Sequence, residues 1–343
     1  MDTQGIPVYQ IDLSDIDIKE RHAVWKETIS LVFDSALKPE DQHKPFNAAL
    51  NAFHLSSTLL SSATSRRQYF NRDRKLIAKD GLDHFLIQVY TEGSTSGQWG
   101  KNNNSTVRSG DIFLLDLNQP IKSLAGDFNC LTLMVPRNML GAKLPEPERW
   151  HGRVLPRETI LAKLLAEHLQ TLYFSLQTLS LEEACSAMEG LLSLTGAYFG
   201  NTPVDKNCPH VQTATRESIR RHIIGNLTDL NLNADSIAAH FKISRAYLYR
   251  LFDTGQGIHQ FILEQRLLLG FNQLTNPANG KLRIGQIAYD LGFNSESHFS
   301  RSFHRTFGMT PSDAKNSAHL NSLRQESDRT ANKLLEKWVL NLR

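Results

Sequence analysis

Apolar residues recur at three- and four-residue intervals through the C-terminal third of the chain, and the clearest run lies between Ile284 and Pro311. Ile284, Ile287, Ala288 and Leu291 share one side of a 3.6-residue period, which predicts a helix. Gly292 suits the left-handed turn that ends a helix, and Ser295 suits the cap of the next. Phe299, Phe303 and Phe307, at i, i+4 and i+8, require a buried face. Between them Glu296, Ser297, Ser300, Arg301 and His304 form an outward polar face able to reach base edges or phosphates.

The same pattern occurs upstream. Ile237, Ala238, Phe241 and Ile243 match Ile287, Ala288, Leu291 and Phe293 at an offset of 50 residues. One residue is then inserted, and Ser244, Leu248, Arg250 and Phe252 match Ser295, Phe299, Arg301 and Phe303 at 51. Two copies are too few for a solenoid, so the repeat predicts two helix-turn-helix units in tandem. In the first, Leu248, Leu251 and Phe252 turn inward and Arg245, Ala246, Tyr249, Arg250 and Asp253 outward. A helix over Ala214–Asn226 precedes the pair. A long helix from about Ile258 to Leu274, broken by Asn276, Pro277 and Gly280, joins the two units, and Pro311 is expected to end the second.

The N-terminal half has a different period. Residues 21 to 37 place Trp25, Ile29, Val32, Phe33 and Leu37 on one helical face, and Phe46 to Ser65 reads as one or two strands. Ser65–Lys75 is more helix-like, and its basic run reads as a solvated face. From His84 to Pro136 short strands are punctuated by turns, the signature of a small barrel or sandwich that can hold one small ligand. Phe53, Phe85, Tyr90 and Trp99 are candidates to line such a pocket; His54 and His84 read as structural. Proline-bearing Leu144–Glu158 borders this region. Two helices with broad apolar stripes follow, one from Ile160 to Leu176 and one from Leu181 to Leu192 after a Ser180 cap. Stripes this broad can pack on each other and on a second copy, which predicts a homodimer. The tail carries Ala331, Leu334, Leu335, Trp338 and Leu342 at helical spacing, a short amphipathic helix expected to dock on its own protein. The expected divisions are therefore a sensing domain at 1–155, a helical dimerisation region at 156–200, a linker at 201–213, a DNA-binding domain at 214–315 and a tail at 316–343.

Composition adds three restrictions. The 343 residues are 40% hydrophobic and 21% charged, ordinary for a soluble folded chain, and no run approaches the ~20 apolar residues of a membrane span. The acidic start lacks the apolar stretch of a signal peptide, so a cytoplasmic location is expected. Cys130, Cys185 and Cys208 lie far apart with no ligand spacing, which reads as reduced thiols and no metal. Net charge is +3, yet twelve Lys and Arg stand against eight Asp and Glu between His210 and Lys315. Within that basic half Arg250 and Arg301 hold equivalent places, and a guanidinium can donate two parallel bonds to guanine O6 and N7 or clamp a phosphate. Two heads on a rigid connecting helix would meet successive major-groove faces ~34 Å apart, as a direct pair of short boxes.

The segment from Glu217 to Ala314, above all the run through GFNSESHFSRSFHRTFGMTP, resembles the DNA-binding domain of the AraC/XylS family of transcription regulators. That resemblance implies a seven-helix module that binds double-stranded promoter DNA, with RNA polymerase as a further partner. It also implies base contacts from Ala246, Tyr249, Arg250, Glu296, Ser297, Ser300 and Arg301, although Ala246 is smaller than the residue many members carry there. RSGDIFLLDLNQPIKSL and FNCLTLMVPRNML are similar to the cupin-like sensing domain of the subgroup that includes regulators of aromatic-amine and aromatic-acid catabolism. The fold class implied is a two-domain α+β chain: a cupin-like β-barrel with dimerisation helices, then an all-α domain with two helix-turn-helix units. A cupin-type enzyme would need clustered His and carboxylate ligands. No His-x-His occurs between Gly81 and Pro136, so neither catalysis nor a cofactor is expected. A cysteine-based DNA-repair activator would need an activating base or metal cluster near a cysteine, and the sequence supplies neither. A ligand-independent dimeric DNA-binding protein is the alternative to a regulator that answers to a small-molecule effector.

Overall fold

The alternating segments of the N-terminal half fold into two antiparallel sheets. The computed structural model describes residues 6–99, 103–141, 143–144, 147–200, 210–252, 257–275, 282–322 and 332–342. Residues 201–209 of the linker expected at 201–213, with Cys208, the outward Asp253, the helix breakers Asn276, Pro277 and Gly280, and Ala331 lie outside the described residues, and 210–213 are helical instead. The chain divides into two compact units, Met1–Val204 with Arg329–Arg343, and Asp205–Asp328.

In the first unit, β1 (Val8–Asp12), β3 (Ala48–Leu55), β4 (Thr58–Ser65), β11 (Phe128–Val135), β6 (Phe85–Glu92), β9 (Ile112–Asp116) and β12 (Arg153–Leu155) form a seven-stranded sheet in that spatial order. A five-stranded sheet runs β2 (Asp34–Ala36), β5 (Gln68–Arg72), β10 (Ile121–Ala125), β7 (Ser94–Trp99) and β8 (Asn103–Arg108). No strand is shared between them among the described residues, so the expected barrel is an open sandwich: β1, β12, β2 and β8 remain edges. Successive side chains on a strand point to opposite faces, and this parity sorts the core. Phe85, Ile87 and Val89 of β6, Ile112 and Leu114 of β9, and Leu131 and Leu133 of β11 face α4 (Ile160–Ser175) and α5 (Leu181–Gly200). Leu86, Tyr90, Phe113, Leu115, Cys130 and Met134 face the other sheet. Covered on both faces, β9 is buried along its whole length, which is why its first four residues, Ile112 to Leu115, read as an unbroken apolar run.

Three expectations about local structure need correction. The helix expected over 21–37 is α1 (Arg21–Ile29), which ends in a turn closed by Phe33 N–H donating to Ile29 O at 2.9 Å. Val32 and Phe33 then leave the helix to pack between the sheets, and β2 follows. Second, the basic run Ser65–Lys75 is not one helix on a solvated face: it holds β5 and the start of α2 (Arg74–Asp80). Arg72, on the inward side of β5, is fully buried; its Nη1 and Nη2 donate to Asp80 at 2.6 and 2.8 Å and its Nε to Leu117 O at 2.6 Å. Third, Gly308, at a φ of 66°, is what ends the second helix-turn-helix, and Pro311 opens the next helix at a position where its missing N–H costs nothing. Short α3 (Arg137–Gly141) lies between β11 and β12.

The second unit contains seven helices among the described residues: α6 (His210–Gly225), α7 (Ala234–His240), α8 (Arg245–Phe252), α9 (Gly257–Thr275), α10 (Ile284–Asp290), α11 (Glu296–Phe307) and α12 (Pro311–Ser322). α6 begins four residues before the helix the sequence predicts. α9 is the long connecting helix, and its two halves serve different cores. Ile258 and Ile262 pack with Ile219, Ile237, Leu248 and Phe252, whereas Phe271 stacks on Phe303 at 5.8 Å and meets Phe307 at 4.9 Å. The last helix, α13 (Asn332–Asn341), belongs to the first unit. No helix among the described residues is long and apolar enough to cross a membrane.

Candidate functional site

The two helix-turn-helix units share the bonds of their turn and the serine cap of their second helix, but not the cap of their first, which Arg283 leaves without a side-chain bond in the second unit. In the first, α7 is capped by Asn233, whose Oδ1 accepts from Ser236 N–H while Ser236 Oγ accepts from Asn233 N–H. Its turn passes through Lys242 at a φ of 52°, with Ile243 N–H donating to Ala238 O at 3.0 Å. Ser244 Oγ then accepts from Tyr247 N–H at 3.1 Å and starts α8. In the second, Gly292 takes a φ of 73°, Phe293 N–H donates to Ala288 O at 3.0 Å, and Ser295 Oγ accepts from His298 N–H at 3.1 Å. A buried Leu248 in one and Phe299 in the other fix the inward face.

Opposite those anchors lie the predicted reading faces. Arg245, Ala246, Tyr249 and Arg250 are exposed on α8, and Glu296, Ser297, Arg301 and His304 on α11, with Ser300 half-buried. Arg245 pairs with Asp235 at 3.0 Å, and the Tyr249 hydroxyl lies 2.9 Å from His259 Nε2 at the start of α9. Arg250 rests over the Tyr247 ring at 5.2 Å, and Arg301 Nε donates to its own helix at Ser297 O, 3.3 Å away. Glu296 leans back toward α10, where its carboxylate would have to swing aside for a side chain at Gly285. His298 is exposed, with its ring edge against Phe293. Sequence reasoning passed over Arg266. From α9 it donates to Leu227 O at 3.0 Å and Asp229 O at 2.8 Å, and its guanidinium lies against Gly292 in the turn of the second unit. Burial holds its pKa below the ordinary arginine value. A charge spaced to touch two carbonyls far off in sequence leaves no local periodic signal.

The first unit encloses a cavity of about 150 Å³ between its sheets. Trp25, Phe33, Phe70, Tyr90, Trp99 and Phe128 supply aromatic wall, and Ser61, Gln88, Ser123 and Thr132 supply neutral polar groups. Among the four residues proposed from sequence, Tyr90 and Trp99 line it; Phe53 and Phe85 lie in the core against α4 and α5. Phe85 and Tyr90 are five apart on one strand and so must face opposite ways, a parity readable from the sequence. Trp99 is held by Phe113 at 4.7 Å, by its Nε1 donating to Ser105 Oγ at 2.7 Å, and by Gly152, where any Cβ would collide with the indole. Burial raises the Tyr90 phenol well above its usual value and pushes the Cys130 thiol up to about 12, so both are neutral at physiological pH. Among the described residues no group of three or more His, Cys, Asp or Glu could hold a metal ion.

Comparison with known proteins matches both halves. A helix-turn-helix domain family covers residues 237–317 and an AraC-binding-like domain family residues 25–195. The regulatory protein SoxS of Salmonella typhimurium is 40% identical over 87 residues, 25% of this chain and 78% of SoxS. The chain belongs to the AraC/XylS family of transcription regulators. The transcriptional activator NphR of a Rhodococcus species is similar over nearly the whole length, 23% identical across 308 residues, 87% of this chain and 89% of NphR. The crystal structure of the AraC-like transcriptional activator CuxR shares the fold, with a TM-score of 0.54 at 21% identity over 78% of this chain and 96% of CuxR. This AraC-family regulator therefore pairs a helix-turn-helix DNA-binding domain with an AraC-binding-like domain.

Proposed function

We propose that this regulator binds promoter DNA through both reading helices and answers to a small, neutral, largely apolar effector held between the sheets of its first unit. The cavity carries that reading. An apolar cavity near 150 Å³ takes a single aromatic ring, and none of the described residues that line it is Lys, Arg or His. A carboxylate placed there would lose its hydration with no cation to meet it, so neutral compounds are favoured over acids. Arg245, Ala246, Tyr249 and Arg250 of α8 and Glu296, Ser297, Ser300, Arg301 and His304 of α11 are the proposed DNA contacts. The activators among its relatives support activation through RNA polymerase as the sense of regulation, without catalysis. Apolar side chains left exposed on α4, Ile160, Leu164 and Phe174, support a homodimer.

The test is a panel of phenol, aniline, benzyl alcohol, indole and benzoate, read by thermal stability and by a reporter placed behind a promoter the protein occupies. At least one neutral ring is expected to raise the melting temperature and change reporter output, with benzoate inert. No response to any neutral ring would favour a ligand-independent regulator instead.

A further inference from the structure

One wall of the cavity comes from neither sheet. α13, the last helix of the chain, lays Leu335, Glu336 and Val339 along it. Val339 and Leu342 are 3% and 4% exposed, buried in the inter-sheet core with Tyr90 and Phe128. This docking has specific polar and aromatic contacts besides apolar packing. His84 Nε2 lies 3.1 Å from Val339 O, a last-turn carbonyl of the kind that has no partner inside its own helix. The Trp338 ring meets His54 at 5.2 Å. In chain order α13 follows the DNA-binding unit: the chain leaves the first unit, forms α6 to α12, and returns to complete the pocket it left.

We infer that α13 is a ligand-reading strap: a neutral single-ring molecule bearing a hydroxyl or amino donor sits beneath it, contacts it directly, and strengthens its docking on the first unit. This rests on the effector reading of the cavity. The cavity is present with α13 in place, so a ring of this size binds without displacing the helix and adds to the apolar surface the helix buries. Glu336 alone among the described lining residues carries a carboxylate, a hydrogen-bond acceptor, and so selects a ligand that donates. Coupling of this kind is reciprocal: a ligand that holds α13 is itself held by α13. The effector is thereby sensed by a segment joined to the C-terminal side of the DNA-binding unit, while the sheets it also touches precede that unit in the chain.

Phenol, aniline and indole serve as probes on the full chain, with two measurements. First, amide hydrogen exchange over residues 332–341 is followed with and without a bound probe; the probe is expected to slow it about tenfold. Second, probe affinity is compared between the native chain and the separate variants His84→Ala and Trp338→Ala. Neither residue lines the cavity, His84 bonds α13 and Trp338 belongs to it, and each substitution is expected to weaken binding about tenfold. A probe that binds the native chain, leaves exchange over 332–341 unchanged and keeps its affinity in the variants overturns the strap and leaves the cavity reading standing. If none of the probes binds the native chain, the cavity reading fails and the strap with it. The exchange measurement needs no substitution, so it decides the matter even if a variant does not fold.

Discussion

Lys242 and Gly292 occupy the same place in the two helix-turn-helix units, yet only one of them is suited to it. Both sit in the left-handed region, with φ of 52° and 73°, where a side chain costs about 1–2 kcal/mol. Lys242→Gly is therefore expected to stabilise the DNA-binding unit by up to about 1 kcal/mol, since the gain in strain is partly offset by a freer unfolded chain. Gly292→Ala is expected to destabilise by more than the strain alone. Its Cβ would lie 2.7 Å from Arg266 Nη1, forcing that guanidinium off Leu227 O and Asp229 O. Urea denaturation of the two variants should move the midpoint in opposite directions, and a shift of the same sign would refute the shared turn geometry as the cause. Arg250 and Arg301 are equivalent in the same way but differ in hold: one lies on an aromatic ring, the other bonds back to its own helix. Replacing either by Ala is expected to cost ~1–3 kcal/mol of discrimination at one base position if it reads guanine. Equal weakening on every sequence in a base-substitution binding series would make it a phosphate clamp instead.

Elements that bury one face were legible because their period survives in the sequence. The two reading heads and the connecting helix fall where the 3.6-residue repeat puts them, and β6, β9 and β11 fall within the apolar segments that turns mark off between His84 and Pro136. Where the expectation failed, a long-range interaction had overridden local pattern. The basic run Ser65–Lys75 looks solvated until β5 is paired, whereupon Arg72 points inward and must find Asp80 at the end of α2. Burial holds the Asp80 carboxyl above its usual pKa, with Arg72 opposing that rise. Such a pair contributes little over an apolar one, but removing one partner strands the other charge. Asp80→Ala is thus expected to cost about 3–5 kcal/mol in the first unit, and Arg72→Met with Asp80→Leu to cost clearly less than the single change. Thermal unfolding of the three proteins checks this; a double variant weaker than Asp80→Ala would show that Leu117 and Leu82, whose carbonyls Arg72 also serves, dominate the site. The cavity was half legible: Tyr90 and Trp99 announced themselves as strand aromatics, but the wall supplied by α13 comes from over 200 residues away, and the amphipathic spacing of the tail announces a docking helix without naming the face that receives it.

The molecule as a whole carries two heads in one chain, and a rigid α9 tied through Arg266 to both makes a direct pair of boxes about one DNA turn, ~34 Å, apart the expected site for a single copy. Whether two such pairs are read together depends on α4. Its stripe packs Leu165, Leu169 and Leu172 against the sheet, while Ile160 and Phe174 stay 69% and 75% exposed on the far side with Leu164 between them. Each large apolar side chain buried against a second copy would contribute roughly 1.5–3 kcal/mol, enough for three of them to support a dimer at micromolar concentrations. Ile160→Asp with Phe174→Asp should give a folded monomer by sedimentation, because neither side chain serves the core and only the stability that association lends the dimer is lost. On DNA that monomer should still protect one pair of boxes, and lose the gain in affinity that a second pair gives the native protein by holding both within reach. A native chain that sediments as a monomer at these concentrations would assign the exposed face some other role, and the affinity for one pair and for two should then be alike.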